Sequence, residues 1–289
     1  MKFAITLSHK AYIKKYKAAG AQVFIVGVDG FSMRVDQSFS IEAIKEVITS
    51  IHQLNGEIWV LMNALLHETE LDGALDVFEK LSKLDIDGIM FADLALLNFA
   101  KKHQMVEKMI YYPETYTTSY EDTVFFNKIG LKQLVVSREV TLDGIKTMSK
   151  GALDLVVVGH GFLNMFHSRR PLVENYFKHT SDQDAHVVKD KKNLKLVEAT
   201  RDEAYPIVQD RAGTHIFRAK PLASFSVIDV LSSCVSTMVI DTLFVDEADV
   251  VDIIKDYHNA LAKKPLSRSY DDHDQGFYFK ETVTSKGGQ

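Results

Sequence analysis

Charged, amide and histidine side chains follow short apolar runs at several points in this 289-residue sequence. The planar fork of arginine suits carboxylate and phosphate groups, whereas histidine and glutamate can hold or transfer a proton. We therefore predict a pocket for a small anion or a nucleotide, with proton-handling groups beside it. The candidate substrate-binding residues are Arg34, Asn63, Asp93, Arg138 and Arg170, and the candidate catalytic residues are His160 and Glu139.

The segment Gly159-His160-Gly161 draws attention because it ends a β-branched run. Glycine on both sides of a histidine allows close approach of the backbone to a ligand, although a packed structural histidine is the alternative. Two other candidates also have a simpler explanation. Asp93 precedes a helical pattern and could serve as its N-cap, and Arg138-Glu139 could be a solvated charge pair in a loop.

The elements that must position these residues alternate regularly between strand and helix. The strands are mostly continuous apolar runs, which is typical of a parallel sheet covered on both faces. A spacing of about 25–30 residues per unit predicts a TIM-like (βα)8 barrel, with a doubly wound open sheet as the alternative. The predicted strands are Lys2–Leu7, Val23–Val28, Ile58–Met62, Gly88–Phe91, Met109–Tyr112, Gln133–Ser137, Leu153–Val158 and Thr237–Val245.

A barrel of this kind explains why separate polar residues could form one site. The loops that follow its strands all lie at one end, where functional groups concentrate. Arg34, Glu114 and His160 each follow a different predicted strand. We therefore expect them to meet at that end of the barrel.

The regular alternation ends after Pro171. We predict the first seven βα units in residues 1–173, a polar linker and an antiparallel β insert in 174–222, and the last unit in 223–263, all within one domain. Alternating patterns at Leu194–Thr200, Ala204–Gln209 and His215–Ala219 carry the prediction of the insert. Residues 264–289 are polar, so we expect a loosely ordered tail.

Composition narrows the class of protein. The formal net charge is −5 and the pI about 6.1, which disfavours a general nucleic-acid coat but not a local basic site. The sequence contains neither an apolar run long enough to span a bilayer nor a recognisable signal peptide, so we expect a cytoplasmic protein without membrane contact. A lone cysteine, Cys234, allows neither an internal disulfide nor a four-cysteine iron–sulfur site.

Familiar catalytic motifs do not occur. The sequence contains no Gly-x-Gly-x-x-Gly, Walker A or Gly-x-Ser-x-Gly pattern. His160 and His167 are too far apart for a helical metal-binding motif, and we predict no metal site on them. We expect no cofactor bound by this chain alone, and the sequence leaves metal binding open.

Several motifs, taken together in this order, resemble the collagenase-like peptidase family, catalogued as peptidase family U32. Asn63 and Asp93 also match family positions, and the resemblance extends over most of the chain. The matching motifs are Gly20-Ala21-Gln22-Val23-Phe24-Ile25-Val26-Gly27, Phe31-Ser32-Met33-Arg34, Ser137-Arg138-Glu139-Val140-Thr141-Leu142 and His160-Gly161. The first departs from the family at Gln22, where the family has Asp.

The resemblance also defines a departure. Asn164 and Pro171 stand where the family has two cysteines, and the second cysteine pair, expected within 174–193, is absent. Members with all four cysteines are thought to hold a four-iron–four-sulfur cluster for oxygen-independent hydroxylation of the ubiquinone ring or of the wobble uridine of transfer RNA. This chain is most similar to the short branch of the family in Gram-positive bacteria, typically encoded beside a longer paralogue that keeps its cysteines.

The resemblance therefore implies a role with such a paralogue in 5-hydroxylation of the wobble uridine. Transfer RNA, the cluster-bearing paralogue and a small anionic co-substrate are the implied partners. Two alternatives remain open: a peptidase of the collagenase-like type, in some form metal-assisted, and a non-catalytic scaffold. Whether the chain is itself an enzyme stays open for the same reason.

Overall fold

The structure, a computed structural model, describes residues 1–180 and 193–280. Eight parallel strands form a closed barrel, because the first strand pairs with both the second and the last. The predicted (βα)8 barrel is confirmed. Its strands, numbered along the chain, are β1 Lys2–Thr6, β2 Val23–Val28, β4 Glu57–Met62, β5 Gly88–Phe91, β6 Met109–Tyr111, β7 Gln133–Val135, β8 Leu155–Gly161 and β14 Thr237–Ile240.

The apolar strands are buried on both faces. In β2 every residue is buried: Val23 and Ile25 pack in the barrel interior, while Phe24 and Val26 pack under the helices. Full burial of one such side chain stabilises the fold by roughly 1.5–3 kcal/mol. Continuous apolar sequence in the strands therefore reflects two separate cores, one inside the barrel and one outside it.

Helices cover the outside of the barrel and are stabilised by their caps and apolar faces. In α2 the Ser40 hydroxyl accepts a hydrogen bond from the amide of Ala43, and Ile44, Val47 and Ile51 face the sheet. The helices are α1 Ile13–Ala19, α2 Ile41–His52, α3 Leu71–Ser82, α4 Leu94–Lys102, α5 Tyr120–Ile129, α6 Leu142–Met148, α7 Leu172–Thr180, α8 Ile228–Cys234 and α9 Glu247–Leu261. None of the helices in the described ranges has the length and hydropathy to cross a bilayer.

The predicted antiparallel insert is confirmed as a four-stranded sheet, with strand order β10-β11-β12-β9. Its strands are β9 Asn164–Ser168, β10 Lys195–Val197, β11 Ala204–Asp210 and β12 Gly213–Phe217. The short strands β3 Ser38–Phe39 and β13 Leu222–Ala223 pair with the C-terminal ends of β2 and β8.

The insert begins earlier than the sequence predicted. Its edge strand β9 lies within the segment assigned to the barrel, and the predicted polar linker from residue 174 falls partly in α7. Only Val173 is fully buried in that helix, although Leu172, Tyr176 and Phe177 are also apolar. Residues 181–192, the rest of the linker, lie outside the described residues.

The prediction of a loosely ordered tail is wrong for the part that the structure describes. Residues 267–280 pack against the barrel: Tyr278 is buried, its carbonyl accepts from the amide of Leu142 at 3.0 Å, and its hydroxyl lies 2.7 Å from Ser224 Oγ. The Ser267 hydroxyl donates to the buried carboxylate of Asp256. Polar composition did not reveal these anchors because each one is a single residue.

Candidate functional site

Two arginines share one glutamate at the end of the barrel where the strands finish. Arg34 forms an ion pair with Glu114 Oε1, and Arg138 Nη1 donates to Glu114 Oε2 at 2.8 Å. Their side chains are only 8%, 15% and 14% exposed for Arg34, Glu114 and Arg138. Burial lowers the pKa of both arginines, but a guanidinium still keeps its proton at neutral pH. The cluster therefore carries two positive charges and one negative charge in a shielded position.

The loop after β2 holds Arg34 in place. Arg34 has a positive φ of 55°, a conformation that costs energy for a residue with a side chain. Its amide donates to Asp210 Oδ2 at 3.0 Å, and the amide of the preceding Met33 donates to Asn63 Oδ1 at 2.8 Å. Asn63, predicted to bind substrate, therefore positions the loop that carries Arg34.

Glu114 is placed by a similar turn after β6, with φ at 69°. Tyr112, two residues earlier, lines the same cavity as Arg34 and Arg138. Burial raises the pKa of Tyr112, so its hydroxyl remains a neutral hydrogen-bond donor at neutral pH. From the sequence, Glu114 is only a residue at a strand end, and Tyr112 has no feature that marks it as part of a site.

Asp241 completes this cavity from the end of β14. Its Oδ1 accepts from the Leu243 amide at 3.0 Å and from the Thr6 hydroxyl at 3.3 Å. Burial raises the pKa of Asp241 to about 6, against the effect of these hydrogen bonds and of Arg34. A carboxyl that titrates near neutrality can give or accept a proton. The sequence missed Asp241 because the predicted eighth strand ran on to Val245 and hid its end.

The insert contributes a second carboxylate. Asp210 accepts from the Arg34 amide and lies 3.1 Å from His215 Nε2, and the His215 ring stacks on His167 at 4.6 Å between centroids. Burial acts to raise the pKa of Asp210, but the hydrogen bonds from His215, Arg34 and Ala212 hold it below its usual value. Burial also lowers the pKa of His215. The alternating sequence pattern that predicted the insert did not predict this contact with the barrel.

His160 lies elsewhere. A bulge between Val239 and Ile240 of β14 shifts the register beside Gly159, so His160 faces the helices instead of the barrel mouth. Its Nδ1 lies 3.1 Å from the Tyr257 hydroxyl of α9, and burial with the nearby His273 and Arg268 lowers its pKa to about 3. The structure does not bring His160 to the arginine cluster, and a neutral packed histidine is the simpler description.

The remaining candidates are spread over three environments. Asp93 caps α4 through the amide of Ala95 at 2.9 Å, as the structural alternative predicted, and also accepts from Leu66. Glu139 is exposed beside Arg138 at the rim. Arg170 is exposed at the start of the insert, and its side chain does not line the arginine cavity. Of the predicted residues, the structure therefore brings together Arg34, Arg138 and, through its loop contact, Asn63.

Two connected cavities surround the cluster. The inner pocket is narrow and is lined by Arg34, Tyr112, Glu114, Arg138 and Asp241. The outer cleft has a volume of about 340 Å³ and lies between the insert and the C-terminal segment. Arg138, Leu163 and Asn164 line both, so a molecule in the outer cleft would adjoin the inner pocket.

The residues present do not fit an iron–sulfur cluster. Asn164 uses its Nδ2 to donate to the carbonyls of Phe166 and Ile216, and Pro171 has no side-chain donor atom. Cys234, the lone cysteine, ends helix α8. Among the described residues, no three His, Cys, Asp or Glu side chains come together as a metal-binding group.

The model of "Peptidase family U32" matches residues 9–277. This chain belongs to peptidase family U32. The match runs from the loop after β1 to the C-terminal segment, so it includes the other seven barrel strands, the insert and the arginine cluster.

Two relatives come from Bacillus subtilis (strain 168). The chain is 26% identical to "tRNA hydroxylation protein P2" over 304 residues, which cover 96% of this chain and 97% of that protein. It is 23% identical to "tRNA hydroxylation protein P1" over 170 residues, 57% of this chain but only 40% of that longer protein. A solved structure of a U32 peptidase aligns with 12% identity and a TM-score of 0.49, covering 83% of this chain and 92% of that one.

Proposed function

We propose that this U32 family protein takes part in oxygen-independent 5-hydroxylation of the wobble uridine of transfer RNA. The observation that carries the proposal is the end-to-end match with tRNA hydroxylation protein P2, at 96% and 97% coverage. Relatives named for the same process also match with lower coverage of their length. The arginine cluster and seven of the eight barrel strands fall within the region that the family model matches.

The inner pocket supports a small anionic co-substrate as part of this function. Arg34 and Arg138 together carry one more positive charge than Glu114 offsets, and all three are shielded from water. Arginine pairs carboxylates bidentately, and such bonds strengthen when water is excluded. A carboxylate-bearing molecule would join the cluster or displace Glu114, with the Tyr112 hydroxyl and Asp241 available as proton donors or acceptors.

A longer, cluster-bearing relative would act with this chain. The chain itself holds one cysteine, so the cluster that the family's hydroxylation chemistry calls for must come from another protein. Bacillus subtilis has both a relative that this chain covers almost completely and a longer one that it covers by 40%. That pair supports a two-protein arrangement.

Nucleoside analysis of transfer RNA from a deletion strain tests the proposal. We expect 5-hydroxyuridine-derived nucleosides to fall and to return when the gene is restored. Normal levels in the deletion strain would refute the role. Purification of the tagged chain should also recover the longer relative, and its absence would refute the two-protein arrangement.

A scaffold role is favoured by one observation, the lack of cluster cysteines in this chain. A scaffold role predicts that an Arg34→Gln, Arg138→Gln double variant restores the modified nucleosides of the deletion strain in full, because only the partner would carry out the reaction. Binding of a co-substrate in the inner pocket predicts that the same variant restores none. The peptidase alternative predicts hydrolysis of peptides by the purified chain.

A further inference from the structure

The outer cleft has features that the inner pocket does not explain. Its volume of about 340 Å³ lies within the range of roughly 300–1,000 Å³ typical of small-molecule sites. Five chain segments form its walls: the loop after β7, the start of β9, the start of β11, the residues that follow β12 and the C-terminal segment near residue 277. It opens to solvent at one side and meets the arginine cluster at the other.

Asn164 offers a fixed hydrogen-bond acceptor where the two cavities meet. It is only 7% exposed, and its Nδ2 donates to the carbonyls of Phe166 at 3.0 Å and Ile216 at 3.2 Å. Because both partners are acceptors, the amide can adopt only this orientation. Its Oδ1 receives no hydrogen bond from any residue that the structure describes. A ligand with an N–H group would satisfy that oxygen.

An arginine side chain and an aromatic ring lie together in the same cleft. The guanidinium of Arg218 lies over the ring of Phe277 at 5.3 Å from its centroid, and Arg218 is held by Asp274 at 2.6 Å. Unpaired RNA bases stack on aromatic rings and on arginine planes of this kind. The ion pair fixes the plane before any ligand arrives, which reduces the entropy lost on binding.

The charged residues of the outer cleft favour different positions for the base and the phosphate of a nucleotide. Glu139 and Glu203 are exposed in the cleft wall and would repel a phosphate placed beside them, but they can accept from ribose or base groups. Lys220 is exposed at the end of the cleft and has no ion pair with any described residue. The base and sugar therefore fit inside, and the phosphate fits at Lys220.

We propose that the outer cleft binds one unpaired uridine nucleotide of an RNA strand. Asn164 Oδ1 accepts the imide N–H of the base, the Arg218–Phe277 pair stacks on its face, and Lys220 contacts the phosphate. This inference rests on the proposed role on transfer RNA and places its substrate beside the co-substrate pocket. The reactive face of the base would then adjoin Arg138, which lines both cavities.

Binding of synthetic RNA hairpins by the purified full chain tests the cleft without altering its fold. The probes carry a single loop uridine, the same uridine methylated at N3, or a fully paired stem. Methylation removes the imide N–H and should weaken binding roughly tenfold. The fully paired stem should bind no more tightly than the methylated loop. Equal affinity for the methylated and unmethylated loops would overturn the assignment to Asn164.

Two conservative variants test whether Phe277 and Lys220, in the walls of the outer cleft, contact RNA. Phe277→Leu should weaken loop binding roughly tenfold through lost stacking, and Lys220→Gln should reduce the salt slope by about one. Phe125→Leu and Lys102→Gln, exposed on α5 and α4, are the matched controls and should bind like the wild type. Wild-type binding by both cleft variants, or loss of a protein partner with RNA binding unchanged, would overturn the proposal.

The two proposals fail in different ways. If the deletion strain has normal transfer RNA nucleosides but the hairpin results hold, the function is wrong and the RNA-binding cleft stands. If deletion removes the modified nucleosides while Phe277→Leu and Lys220→Gln restore them fully and bind hairpins normally, only the cleft assignment is wrong.

Discussion

Glu114 controls the charge of the inner pocket at the scale of single residues. It accepts from Arg138 Nη1 at 2.8 Å and pairs with Arg34, so neither buried guanidinium stands alone. Removal of one partner from a buried ionic group leaves the others uncompensated. Substitution in this cluster should therefore change function more than the loss of one surface charge would.

Arg138→Gln tests this balance. The variant keeps a hydrogen-bond donor but loses the charge and the fork, so we expect modified nucleosides in a complemented strain to fall roughly tenfold or more. Arg138→Lys should recover part of the loss. Lys102→Gln, which removes an exposed cation on α4, is the control. Full restoration by Arg138→Gln would show that the cluster has no part in the function.

Asp241 should make stability depend on pH. Its folded pKa of about 6 lies above the ordinary value of 3.8, so the folded state holds the proton more tightly. Its stabilising contribution is present below about pH 4 and is lost as the pH rises through about 6. Relative to Asp241→Asn, the wild type should lose on the order of 2 kcal/mol between those values, because each unit of pKa difference corresponds to about 1.4 kcal/mol. Urea unfolding at both pH values measures this, and a constant difference would contradict it.

At the scale of elements, the insert and the barrel determine the position of Arg34 together. The Arg34 amide, in its strained conformation, is held by Asp210 of β11, and Asp210 is held in turn by His215 of β12. Neither the loop after β2 nor the insert can fix this arrangement alone. The bulge that turns His160 away from the mouth is a second case in which neighbouring strands decide the direction of a side chain.

Asp210→Ala should loosen the Arg34 loop. The change leaves the Arg34 amide and His215 Nε2 without their acceptor, which should cost about 2 kcal/mol of stability. Amides in 29–39 should exchange hydrogen faster than in the wild type, while those of β5 should not change. Asp202→Ala, an exposed aspartate of the same insert, provides the control. Unchanged exchange in 29–39 would show that the insert does not hold the loop.

At the scale of the whole molecule, strand pairing closes the barrel. The C-terminal segment then packs against it and is hydrogen-bonded to it. Ser224 donates to the Gly159 carbonyl at 2.6 Å, so Tyr278 must donate its hydroxyl proton to Ser224 at 2.7 Å. The Tyr257 hydroxyl also donates to Gly159. The segment thereby joins α6, β8 and β13 and supplies Phe277 to the outer cleft.

Tyr278→Ala should destabilise the protein by about 3–5 kcal/mol, since it removes a buried ring and leaves a cavity. The neighbouring Phe279→Ala should have little effect, because Phe279 is 63% exposed. Thermal or urea unfolding of the two variants compares them directly. Similar stabilities for both would mean that the segment is not anchored through Tyr278.

The sequence by itself determined the barrel, the presence of an antiparallel insert and the position of two arginines at the mouth of the barrel. Long apolar runs and strand-end positions are local signals, and Arg34 and Arg138 reach the mouth because their strands end there. The tertiary structure alone decided the rest. A one-residue bulge reversed the direction of His160, and Asp210, Asp241 and Tyr278 acquired their roles from partners distant in sequence. Periodicity records which residues are buried, but it carries no information about which distant residue each one meets.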